Sequence, residues 1–160
     1  MPTPEELEAK LWAGLRSEMT VMLGMVDESA PARPMTAQFE SDEDRGPLWF
    51  FTSQDSELVQ AGGGAATAVF VAKGHDLFAR IEGKLVEDTR RDMIEKLWNP
   101  FVAAWYEEGK DDPDIALMRL DLESAEIWEN ASSLMAGIKA MLGINPQKDF
   151  KDKVAEVPLD

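Results

Sequence analysis

Arg33 stands at the head of one apolar stretch, ARPMTAQF. A second, LWFFTSQDS, runs from the aromatics Trp49, Phe50 and Phe51 into the hydroxyls of Thr52, Ser53 and Ser56. This mixture suits a flat heteroaromatic ligand that carries a phosphate. Aromatic and aliphatic side chains make a slot for the ring, and a guanidinium with hydroxyl donors meets the anion. The same residues also read as an ordinary hydrophobic strand running into a Ser-capped helix, and composition alone leaves both readings open.

Other candidates point to less. His75, the single histidine, lies between Gly74 and Asp76, a setting for an exposed turn rather than a general base. The loop AGGGAAT at 61–67 lacks the strand–GxGxxG–helix order of a dinucleotide site and has no P-loop lysine, so it reads as a turn before a strand. Asp111, Asp112 and Asp114 lack the glycine and final glutamate of an EF-hand loop and read as a solvated acidic loop.

These residues sit in a chain of 160, enough for one domain with a sizeable core. The formal net charge of −15 repels phosphates, which argues against nucleic acid and anionic membrane as partners. No apolar run approaches the roughly 18 residues of a membrane span. The absence of cysteine excludes disulfides, zinc-thiolate sites, iron–sulfur clusters and thiol nucleophiles. The start, MPTPEELEAKLWAGL, has neither the basic beginning nor the apolar stretch of a secretory signal, so the cytoplasm is the expected compartment.

The elements that must position the candidates follow from periodicity. Thr3, Pro4 and Glu6 form a capping box for a helix over 4–16, with Leu7, Leu11, Trp12 and Leu15 on one face. From Thr20, seven short apolar runs read as strands: TVMLGMV, RPMTAQF, LWFFT, TAVFVA, LFARIEGKLVE, IALMRLDL and AEIWE. Helical spacing interrupts them over about 89–107, where Met93, Ile94, Leu97 and Trp98 precede Pro100 and a second turn. The fold class expected is mainly β: a small barrel over about 20–128 with flanking helices, in a single domain spanning 1–143. Its last helical piece is SSLMAGIKAMLG, and a charged tail with little to bury follows over 144–160.

Read in order, Arg-Pro-Met, the acidic turn, Leu-Trp-Phe-Phe-Thr-Ser, Ile-Glu-Gly, Leu-Trp-Asn-Pro, Asp-Asp-Pro-Asp and Ala-Glu-x-Trp give a pattern over about residues 5–130. It resembles that of the bacterial general stress proteins of the pyridoxamine-phosphate-oxidase-like superfamily. The resemblance implies a Greek-key-like split barrel that binds FMN between the subunits of a homodimer. It implies that Arg33 meets the FMN phosphate and that Pro34, Met35 and Thr36 run beside the ring. Gln38 stands where oxidases of the superfamily carry a lysine near the flavin. Phe51 and Thr52 line the ribityl and phosphate path, with Ser53 and Ser56 as further donors. Trp128 corresponds to a late-strand tryptophan at the flavin edge, and Arg80 is a weaker candidate.

Two departures thin the implied phosphate clamp. Leu58 replaces a lysine of many relatives, so a cation restored there is expected to strengthen FMN binding, and Glu57 replaces an arginine of the vitamin-processing oxidases. The implied activity is flavin-dependent oxidoreduction of a small substrate. The alternatives are flavin binding or buffering without turnover, and a split barrel that has lost its flavin. The homodimer is also expected because Trp49, Trp98, Trp105 and Tyr106 exceed what one small barrel needs to fill its core.

Overall fold

The computed structural model of the protein describes residues 2–130 and 154–159. Helix α1 (Pro4–Glu18) starts as the capping box dictates, the Thr3 hydroxyl accepting the Glu6 N–H at 3.1 Å. It stops where Met19 turns left-handed and returns its N–H to the Leu15 carbonyl. Leu7, Leu11, Trp12 and Leu15 are buried and carry α1 onto the main core.

The strands are β1 (Thr20–Met25), β2 (Arg33–Thr36) and β3 (Leu48–Ser53), then, after the short helix α2 (Glu57–Gln60), β4 (Gly64–Val71) and β5 (Leu77–Glu87). Helices α3 (Arg91–Leu97) and α4 (Pro100–Ala103) and a 3-10 turn at Gly109–Asp111 lead to β6 (Ile115–Glu129), and β7 (Val154–Pro158) comes last. All pairings are antiparallel, in the order β2-β1-β4-β5-β6-β3, with β7 on β6. β3 returns beside β6 across β4 and β5, which is the Greek-key step. The ring closes at one place: the Gln38 N–H donates to the Trp49 carbonyl at 2.7 Å, and the Trp49 N–H donates back at 3.0 Å. The protein is thus a mainly β split barrel with flanking helices.

Three local outcomes differ from the sequence reading. IALMRLDL and AEIWE are one strand, β6, because β5 pairs along its whole length. The register steps between Glu82 and Gly83, whose partners are Ser124 and Leu122, so Glu123 is an extra residue that bends the strand without ending it. A Cβ on Gly83 would lie 2.3 Å from the Asp121 carbonyl oxygen, which is why glycine stands at the step.

The tail expected over 144–160 also contains structure. β7 occupies the β6 edge at Ser124–Trp128, beyond the stretch that β3 covers, and its Val157 is buried in the main core. The helical piece at 132–143 lies outside the described residues. The glycine loop is a turn into β4, as its lack of a phosphate motif indicates, with Gly62, Gly63 and Gly64 all at positive φ.

The aromatic run of β3 lacks strict alternation because both its faces are covered. Leu48 and Phe50 enter the barrel core, while Trp49 belongs to a second cluster under the helices, with Met93, Ile94, Leu97, Val102, Tyr106, Ile115 and Leu117. This corrects the expectation that these aromatics anchor a dimer: Trp49 and Tyr106 are buried within one chain and Trp98 packs against the same cluster. Trp105 alone of the four is exposed, at 84%. No helix among the described residues is long and apolar enough to cross a membrane.

Candidate functional site

The barrel seam explains the site. The Gln38–Trp49 bridge is antiparallel, and its register, continued outward, sets Thr36 against Phe51 and Pro34 against Ser53. Those pairs do not form, because β2 and β3 part beyond the bridge. A cleft of about 470 Å³ opens between them.

One bank is Pro34, Met35, Thr36 and Gln38; the other is Phe51, Thr52 and Ser53; and Phe101, Val102, Trp105, Tyr106 and Asp114 complete the wall. Seven of the ten residues singled out in the sequence therefore meet in one place. β2 ends the sheet path, so among the described residues the edge facing away from β1 has no strand partner along its length. Proline fits such an edge, where a ladder donor is not required.

The wall from the α4 region was not legible as a site, although its signals are visible in retrospect. Asn99 caps α4, its side-chain oxygen accepting the N–H groups of Phe101 and Val102, each at 3.0 Å. Its amide nitrogen donates to the Leu97 carbonyl at 3.2 Å and approaches Gln38 Oε1 at 3.4 Å. The Asn-Pro pair thus both starts the helix and braces the Gln38 side chain. Phe101 on α4 and Trp105 in the turn that follows it are each 84% exposed, two large apolar groups left unburied. Phe51, Trp98 and Tyr106 pack with ring centroids 6.0–6.4 Å apart.

Tyr106 ties this wall to β3, its hydroxyl donating to the Thr52 carbonyl at 2.6 Å. Burial, and then the nearby carboxylates of Asp114 and Asp112, push its pKa from 10 up to about 12. The raised value favours the neutral phenol in the folded state. The resulting stability is complete below pH 10 and is lost as pH rises from 10 through about 12. Because Tyr106 is the single tyrosine of the sequence, phenolate absorbance reports it alone. The absorbance is expected to rise near pH 12 in the folded protein and near about pH 10 in guanidinium. Coincident curves would mean that the ring is solvated.

Three of the ten residues do not line the cleft. Arg33 points to α2, where its Nη2 donates to the Glu57 carboxylate, while its Nε is buried without a partner. Ser56 caps α2, accepting the Val59 N–H at 3.4 Å. Trp128 pairs with Phe78 and Val154 in the sheet, with the Arg80 guanidinium 5.8 Å from its ring centroid. Of the cleft hydroxyls, Ser53 donates to Asp55 Oδ1 at 2.7 Å. Leu58 is fully buried in the main core. That overturns the expectation of a place for a phosphate-binding cation at 58, since the side chain turns inward from α2.

The chain belongs to the pyridoxamine 5'-phosphate oxidase like family, whose pattern it matches over residues 6–149. It is similar to the structure of a protein assigned to the general stress family from Xanthomonas campestris pv. campestris, with 54% identity and a TM-score of 0.77, covering 83% of this chain and 93% of that one. The general stress FMN/FAD binding protein of Xanthomonas citri is also 54% identical, with a TM-score of 0.76 and coverage of 81% and 92%. A protein described as general stress protein 26 from Jannaschia sp. CCS1 is 26% identical, with a TM-score of 0.77 and coverage of 98% and 99%. No curated protein matches the chain.

Proposed function

We propose that the chain is a flavin-binding general stress protein that holds FMN at the β2–β3 cleft and acts as an oxidoreductase on a small substrate. The observation that carries this reading is the split seam: an unpaired strand edge faces a hydroxyl-bearing strand across a gap walled by aromatics. A flat ring with polar atoms on its rim needs such an edge for hydrogen bonds and such a wall for its faces.

The donor set fits. The buried, unpartnered Arg33 Nε keeps one donor for an anion, and the Ser56 oxygen accepts in its cap, leaving its proton to give. Arg33, Ser53 and Ser56 would hold the phosphate, Thr52 and Phe51 the ribityl path, and Pro34, Met35, Thr36 and Gln38 the ring. When bound, the flavin supplies hydride or electron transfer between a reductant such as a nicotinamide and an acceptor. The chain contributes orientation, exclusion of water by Phe101 and Trp105, and a Tyr106 hydroxyl kept protonated.

A second reading, flavin storage without turnover, is favoured by the cleft's chemistry. Its titratable lining groups are Asp114 and a tyrosine held neutral, which is little for acid–base work at neutral pH. Repeated reduction of bound FMN by a nicotinamide, followed by reoxidation, supports the enzyme; inert bound flavin supports storage.

Arg33→Ala tests the binding reading. It is expected to weaken FMN by about 1.5–3 kcal/mol, the worth of a charge-assisted contact, and to leave riboflavin, which has no phosphate, little changed. Equal losses in fluorescence titrations of both flavins would assign Arg33 to the fold.

The reading includes a homodimer. Met22, Val69 and Val71 form an exposed apolar patch on β1 and β4, Phe101 and Trp105 are bare, and Trp128 would reach a cleft only from a second copy. Sedimentation is expected to give a dimer at micromolar concentration, and a monomer would remove the shared site.

A further inference from the structure

We infer that Glu57 is a built-in competitor for the anion seat on Arg33, so that this chain discriminates between flavins by penalising the terminal phosphate. The inference rests on the flavin reading above and assigns the site a specificity-determining residue.

Arg33 spends one nitrogen on the Glu57 carboxylate, across from β2 to α2. The pair adjoins the cleft on both sides through the chain. Pro34, next to Arg33, lines it; so does Ser53, and the turn from Ser53 to Ser56, closed by the Ser56 N–H on the Ser53 carbonyl at 3.0 Å, leads directly into Glu57. The same turn carries Asp55, whose Oδ1 accepts a hydrogen bond from the Ser53 hydroxyl.

Two of the groups assigned to the phosphate thus already hold a carboxylate, Glu57 on the Arg33 guanidinium and Asp55 on the Ser53 hydroxyl. Glu57 is also held in place. The residue before it caps α2 and the residue after it is fully buried, so the backbone at 57 cannot swing away. The Glu57 side chain is 60% exposed, and an exposed ion pair is weak enough for phosphate to displace. The displaced carboxylate nevertheless stays close, and two negative groups then share one cation. Riboflavin, neutral at its terminal hydroxyl, meets no such conflict.

The test titrates FMN and riboflavin into the parent protein, into Glu57→Gln, and into Glu57→Gln combined with Arg33→Ala. Glu57→Gln is expected to tighten FMN by about five- to tenfold, the scale of an exposed ion pair plus a relieved repulsion. Riboflavin should change by less than about twofold, and the FMN gain should vanish when Arg33 is also removed. Glu57→Ala, which deletes the acceptor, is expected to give the same FMN-to-riboflavin ratio as Glu57→Gln.

Unchanged FMN affinity, equal tightening of both flavins, or a gain that persists without Arg33 would each overturn the inference while leaving flavin binding intact. Failure of all four proteins to bind either flavin would overturn the flavin reading, and the inference with it.

Discussion

Leu58→Lys is expected to cost the fold about 4 kcal/mol and to bring no gain in FMN affinity. Deleting a fully buried leucine alone costs about 2–5 kcal/mol, and an ammonium in its place adds desolvation unless it escapes to water. Escape is hard here. α2 has four residues, Ser56 pins its start, and Leu58 is its one buried side chain, in the same core as Phe50, Phe70 and Leu85. For a domain of this size the loss corresponds to a fall in Tm of roughly 8–16 °C, read by thermal melts beside an FMN titration. Leu58→Met, similar in volume, should cost less than about 1.5 kcal/mol. A Lys variant that melts like the parent and binds FMN more tightly would return position 58 to the phosphate site.

Gly83→Ala is expected to destabilise the barrel by about 3 kcal/mol, at the upper end for overpacking. The added carbon would stand 2.3 Å from the Asp121 oxygen and 3.1 Å from its carbon, both backbone atoms of the paired strand. Relief requires β5 and β6 to separate at the step where Glu123 is inserted, and these strands are paired along β5 from Leu77 to Glu87. Urea titration should show a lower midpoint with an unchanged slope, the sign of lost native stability without a changed denatured state. A loss below about 1 kcal/mol would show that the bulge absorbs the methyl group.

What could be read from sequence depended on how local its cause was. The Thr3 cap and the buried face of α1 are set within a few residues, and both were legible. Composition left the Arg33 and Thr52 stretches open between a ligand slot and ordinary strands, and the family resemblance was what pointed to a shared site; Pro34, Met35, Thr36 and Gln38 do meet Phe51, Thr52 and Ser53 at the cleft. The partner of Arg33 was not legible, because it depends on where α2 docks, and four residues carry no periodicity. The orientation of Leu58 is hidden for the same reason: the motif position suggests the ligand, and the docked helix turns the side chain inward. The aromatic wall at Phe101 and Trp105 was not legible as a site, since exposure is a property of the assembled molecule. β7 was hidden because it is five residues long, follows a charged stretch and has its place fixed by a strand edge about 30 residues earlier in the chain.

That late strand bears on how the molecule is made. During synthesis the β6 edge at Ser124–Trp128 emerges before anything exists to cover it, since β3 reaches only to Leu120. A bare strand edge is the surface through which nascent chains pair with one another. The 25 residues between Trp128 and Val154 take roughly one to five seconds to translate at about 5–20 residues per second. For that interval the barrel is open on its flank. Strand β7, which also packs against α1, covers that edge once it is made.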